Sequence, residues 1–241
     1  MKKLTSIERY LGAHVAEQGS VAGAATSRIH PFVTISRQAG AGGHELAGTL
    51  LDIFAAQPDE QLFAGWQVFD RALCEIVADN PAYTTSMSSL LEEEYRTKTN
   101  EFFSQLLDPT IDQDILMRHV FEVVRAVASI GKSIIVGRAG SEVTRGMGPG
   151  VSVRLIAAEE VRIPRVMDYY SLDERAARDR ARRLDESRSR LLKSHFRVDI
   201  DDPTRYDALW NSGAASIPSI AESIAIALRH KVEAAETAAL R

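Results

Sequence analysis

The chain of 241 residues has room for one large domain or two small ones, and its 45% hydrophobic content is that of a globular core. A formal charge of −4 argues against a surface given over to nucleic acid, and the lone cysteine, Cys74, excludes an internal disulfide. No run approaches the roughly 20 apolar residues of a membrane span, and Glu8, Arg9 and Glu17 interrupt residues 1–20 where a signal peptide needs an apolar stretch, so a soluble, cytoplasmic protein is expected.

Thr5 and Glu8 have capping-box spacing and open a short helix with Ile7, Tyr10, Leu11, His14 and Val15 on one face. Gly19 ends it, and the Gly-, Ala- and Ser-rich stretch to Arg28 reads as a linker, so residues 1–28 stand apart from the main domain, expected over 29–232. Phe32 to Ile35 is an aromatic and β-branched run of the kind buried in a parallel sheet. Gly40, Gly42 and Gly43 then make a tight turn, after which Leu46, Leu50, Ile53 and Phe54 recur at helical spacing. A strand, a glycine turn and a helix bring backbone N–H groups and the positive end of a helix dipole to one point, which suits a phosphate. Two phosphate-loop templates are not met. Glu45 occupies the third glycine of G-x-G-x-x-G, and in G-x-x-x-x-G-K-[ST] Arg37 stands at the first glycine, Gly43 at the lysine and His44 at the hydroxyl residue.

Pro58 to Gly65 reads as a loop, and Trp66 to Asp70 as a second strand ending in a carboxylate with Arg71 next. Leu73 to Ala78 is helical until Asn80-Pro81 stops it. Ser89 and Glu92 open a charged helix through Leu107, and Asp112 caps another with Leu116, Val120, Val124 and Val127 inside, closed by Gly131. Two helices exceed the need of one crossover, so residues 71–130 read as an insertion able to cover a substrate. Ser133 to Arg138 is the third strand and Val151 to Ala157 the fourth, followed by a helix from about Glu159. Residues 172–197 are dense in arginine, including Arg188 and Arg190; the bland reading is a solvated helix face stitched by pairs such as Glu174–Arg178 and Asp179–Arg183. Asp207 to Asn211 is a weak fifth strand, Ser216 caps a final helix through Leu228, and residues 233–241 form a helical tail. This alternation predicts an α/β fold, a doubly wound parallel five-stranded sheet. Ligands in such sheets sit beyond the carboxyl ends of the strands, where Arg37, Asp70 and Arg138 fall.

The segment 35–47 (Ile-Ser-Arg-Gln-Ala-Gly-Ala-Gly-Gly-His-Glu-Leu-Ala) and the blocks Phe-Asp-Arg (69–71), Ile-Val-Gly-Arg (135–138), Val-Arg-Leu-Ile-Ala (153–157) and His-Phe-Arg-Val-Asp (195–199) recur in this order in one family. Over roughly residues 32–228 the chain resembles the cytidylate kinase-like family, a divergent branch of the nucleoside monophosphate kinases with the P-loop fold. The resemblance implies transfer of the γ-phosphoryl group of ATP, with Mg2+, to CMP, dCMP or a similar monophosphate. It places Ser36, Gly40, Ala41, Gly42, Gly43 and His44 at the nucleotide phosphates and Asp70 and Arg71 on the acceptor side. Arg138 matches the arginine of a strand end, Arg188 and Arg190 match lid arginines, and residues 71–130 match the acceptor-binding insertion.

True cytidylate kinases carry a lysine where Gly43 stands, a threonine or serine at Glu45 and an aspartate at Val136. Arg37, with His44, is therefore expected to supply the missing positive charge, and Glu45 to meet a metal ion through water. Phosphoryl transfer is mainly positioning and charge neutralisation, for which arginine forks are suited. The alternative function is a catalytically weak or inactive nucleotide- or phospholigand-binding protein of the same fold. Nucleotides are the expected partners, with no membrane; nucleic acid is disfavoured, and a homodimer through residues 1–28 is left open.

Overall fold

A computed structural model describes residues 31–70 and 112–239, together with Tyr10 and Cys74. The helices expected over residues 5–15, 73–78 and 89–107, and Arg71, lie outside the described residues apart from Tyr10 and Cys74. The five strands are β1 (Phe32–Arg37), β2 (Gln67–Phe69), β3 (Ser133–Val136), β4 (Gly150–Ile156) and β5 (Ala208–Asn211). They form one all-parallel sheet in the order β2-β3-β1-β4-β5. The helices are α1 (Gly43–Ala55), α2 (Glu60–Phe63), α3 (Asp112–Ile130), α4 (Gly140–Val143), α5 (Glu159–Tyr170), α6 (Glu174–Phe196) and α7 (Ile217–Ala239).

The strands are apolar on both sides because both sides are covered. Val33, Ile35, Val136, Val153 and Leu155 pack against Leu46, Leu50 and Phe54 of α1 and Ile220, Ile224 and Leu228 of α7. On the opposite face Phe32, Phe69 and Ile135 meet Phe121, Val124 and Val127 of α3 and Val143 of α4. Tyr10 enters this second core: its ring stands edge-on to Phe69 with centroids 5.2 Å apart, and its hydroxyl donates to the Gly131 carbonyl at the end of α3. β1 lies in the middle of the sheet, paired with β3 on one side and β4 on the other, with Ile35 opposite both Val136 and Val153. Whatever leaves its carboxyl end is therefore held by two neighbours.

Local departures from the sequence reading have simple causes. The expected loop at 58–65 contains the one-turn helix α2, since the Asp59 carboxylate caps the Leu62 N–H and burial of Leu62 and Phe63 holds the turn. β3 stops at Val136, because Gly137, Arg138 and Ala139 all adopt positive φ. The last helix runs without a break to Ala239, so the segment expected as a separate helical tail continues it, with Val232 still buried against the core. Asp179 pairs with Arg182 rather than Arg183, while the Glu174–Arg178 pair forms as expected.

Candidate functional site

Ser36 and Arg37 close β1, and Gly137 and Arg138 follow β3 on its neighbour. Gly137 has φ 80°, Arg138 φ 55° and Ala139 φ 53°. Glycine takes such values freely, whereas each of the other two costs roughly 1–2 kcal/mol. Strain of that kind persists only where the surroundings hold it, and here it turns the chain so that Arg138 faces a cavity of about 760 Å³. Six of the residues singled out from the sequence line that cavity: Ser36, Arg37, His44, Arg138, Arg188 and Arg190. Among the described residues its wall contains no carboxylate.

Arg37 crosses the site. Its methylenes lie against Gly43, where a Cβ would come within 2.9 Å of Cγ, and its guanidinium lies against Gly137, where a Cβ would collide with Nη1. Arg37 thus fills the space that a side chain at either glycine would need, and the φ of 80° at Gly137 independently favours glycine there. Burial, then the nearby charges of Arg188 and Arg138, lower the Arg37 pKa to about 9, with Asp185 and Asp70 opposing the shift. It remains a cation at pH 7. Arg188 is likewise lowered, first by burial, with Asp185 pulling the other way. Several cations thus stand together before any anion arrives, which is the arrangement of an anion site.

The glycine turn itself is held from behind. A Cβ on Gly40 would collide with the carbonyl of Arg162 on α5, and Gly40 has φ 77°. Arg162 donates to the Ala39 carbonyl (3.0 Å) and Ser212 to the Ala41 carbonyl (2.8 Å). Of Gly40, Ala41, Gly42 and Gly43, Gly43 lies against Arg37, and none of the four is part of the cavity wall. Glu45 sits exposed in the first turn of α1, also outside that wall, and Asp70 ends β2 close enough to act electrostatically on Arg37. Mg2+ wants oxygen ligands in a near-octahedral set. No cluster of three acidic, histidine or cysteine side chains occurs among the described residues, so they do not fit a magnesium held by the protein alone.

Three further participants escaped the sequence reading. Asp185 on α6 accepts from the Ala39 N–H (2.7 Å), Arg162 (3.0 Å) and Arg188 (2.9 Å). A carboxylate from the arginine-rich helix thus takes hydrogen bonds that a phosphate could use. Arg154, buried in β4, donates to Ser36 Oγ (2.9 Å) and to Asp201 (2.6 Å), while the Tyr206 hydroxyl donates to the Ile200 carbonyl and lies 3.3 Å from Ser36 Oγ. The signal for Arg154 was a charge inside an otherwise apolar strand; for Asp185 it was an acid one turn ahead of Arg188. Because two like charges about 4 Å apart repel by on the order of 4 kcal/mol at an effective dielectric near 20, and Asp185 is partly solvated, Asp185→Asn is expected to bind inorganic triphosphate roughly tenfold tighter by calorimetry. Weaker binding would mean that the carboxylate orients the arginines instead of competing with the anion.

The family model described as the cytidylate kinase-like family matches residues 32–214. Among solved structures, the crystal structure of an uncharacterized protein from Eubacterium ventriosum ATCC 27560 is similar, with a TM-score of 0.63 at 19% identity. The alignment covers 83% of this chain and 99% of that one, and at this identity it speaks for the fold alone. No curated protein matches the chain.

Proposed function

The chain belongs to the cytidylate kinase-like family, and from that premise we propose that it is a phosphotransferase of the nucleoside monophosphate kinase type, moving the γ-phosphoryl group of ATP to CMP, dCMP or a similar monophosphate. One observation carries the proposal: Arg37, Arg138, Arg188 and Arg190 converge with Ser36 and His44 on a cavity whose described wall lacks carboxylates. Such a surface neutralises the charge spread over a transferring phosphoryl group and its two neighbours. Arg37 stands in for the absent loop lysine, reaching the phosphates across Gly43 instead of from it. Magnesium, where used, arrives as the counter-ion of ATP and keeps most of its waters. Asp70 and Arg71 are assigned to the acceptor side.

The test is an ADP-release assay coupled to a panel of nucleoside monophosphates, with Arg190→Ala as the variant. Release that depends on the monophosphate and falls at least tenfold in Arg190→Ala supports the proposal. A second reading has its own support: with Asp185 on the Ala39 N–H and no lysine at position 43, the same site would hold a nucleotide without turnover. Nucleotide binding by calorimetry with no ADP release under any monophosphate would select that reading.

A further inference from the structure

At the end of α5 two tyrosines stand next to each other in the chain and in space. Tyr169 is 74% exposed, the most exposed large hydrophobic side chain among the described residues, and Tyr170 is 37% exposed. Their rings meet edge to face with centroids 4.8 Å apart at 79°. The Arg180 guanidinium lies over the Tyr170 ring at 3.8 Å from its centroid, fixing that ring by a cation–π contact. Tyr170 also lines the arginine cavity and acts electrostatically on Arg188. An exposed aromatic face is thus fastened to the rim of a polycationic pocket, with most of the Tyr169 surface left in water.

We propose that Tyr169, braced by Tyr170 and Arg180, is the stacking platform for the base of a nucleotide whose phosphates occupy the arginine cavity. The inference rests on the phosphate-binding reading above and adds the second half of the ligand. The chemistry commits to one class of occupant. Guanidinium groups at the inner end select an anion, and a flat, solvent-facing ring at the outer end selects another flat π-system. A nucleoside phosphate carries both, joined by a sugar. Stacking is tolerant of base identity because every base has a π-face, so the platform raises affinity without choosing among bases.

Calorimetry on the full chain, with ATP, CTP and inorganic triphosphate as probes, tests this. The parent protein should bind both nucleotides roughly tenfold tighter than triphosphate, and Tyr169→Ala should erase that margin while leaving triphosphate affinity unchanged. Tyr169→Trp should keep the margin. Because Tyr169 is exposed, its replacement should leave the melting temperature essentially unaltered. Triphosphate binding with no margin for the nucleotides, or an equal loss for all three probes in Tyr169→Ala, overturns the platform alone. Failure of the parent to bind any of the three overturns the phosphate reading and the platform with it.

Discussion

Arg37→Ala is expected to weaken ATP binding roughly 30- to 150-fold without lowering thermal stability. A charged hydrogen-bonding group aimed at phosphate is worth about 2–3 kcal/mol, and each 1.4 kcal/mol is a factor of ten in affinity. The stability half of the prediction follows from the cluster. Arg37 is desolvated and repelled by Arg188 and Arg138 in the free protein, and Asp185 and Asp70 offset this only in part, so removing it relieves net repulsion. The melting temperature should stay level or rise as binding falls, a trade between stability and function common at preorganised sites. Arg37→Lys should restore part of the affinity, since the charge returns but the planar fork does not. Calorimetry with ATP and a thermal melt on the same samples check both halves. An unchanged ATP affinity in Arg37→Ala would refute the role given to this residue.

Glu142→Ala is the second large effect, a loss of about 2–4 kcal/mol of stability. The Glu142 side chain on α4 is almost wholly buried, yet its carboxylate is gripped by Arg205 on one side and Arg145 on the other. Since α4 follows directly on Arg138 and Arg205 precedes β5, the pair ties the strained turn of the site to the far edge of the sheet. The arginines keep some contact with water, which places the expected loss below that of a fully buried pair. Burial alone would raise the Glu142 pKa; the hydrogen bonds from Arg205, then Arg145, outweigh it and hold the group below its ordinary value of 4.5. A carboxyl lowered on folding contributes fully above its unfolded pKa, and the contribution disappears as pH falls through the lower, folded value. Urea unfolding at pH 7 and at pH 3 should therefore show a smaller pH-dependent loss for Glu142→Gln than for the parent. Equal losses would assign acid sensitivity to other groups.

In a chain without the usual loop lysine, the arginine cavity gathers Arg37, Arg138, Arg188 and Arg190 around one space. On the reading proposed above, the charge sits at the strand end before the loop, where Arg37 fills the space beside Gly43 and Gly137. Asp185 adds a counterweight, holding Arg162, Arg188 and the Ala39 N–H together through one carboxylate. The arginine-rich helix is therefore seated on the glycine turn in this structure, with Arg188 donating to the Arg37 carbonyl as well.

By itself the sequence determined the parallel sheet, the glycine turn after β1 and the helix that follows, because alternation of apolar runs, helical spacing and glycine punctuation are local patterns set by backbone geometry. It also put Arg37 and Arg138 on one side of the sheet, since strand ends in a parallel sheet meet there; Arg188 and Arg190 were added by the family resemblance, and all four line one cavity. Only the tertiary structure decided which partner each of these groups has. Asp185 reaches Ala39 across 146 positions of chain, Arg154 reaches Ser36 across 118, and the Tyr10 hydroxyl reaches Gly131 across 121. Such contacts depend on how helices seat on the sheet, a property of side-chain packing through space that no local periodicity carries. The same holds for Tyr169, whose exposure at the end of α5 is set by the packing around it and by no local pattern.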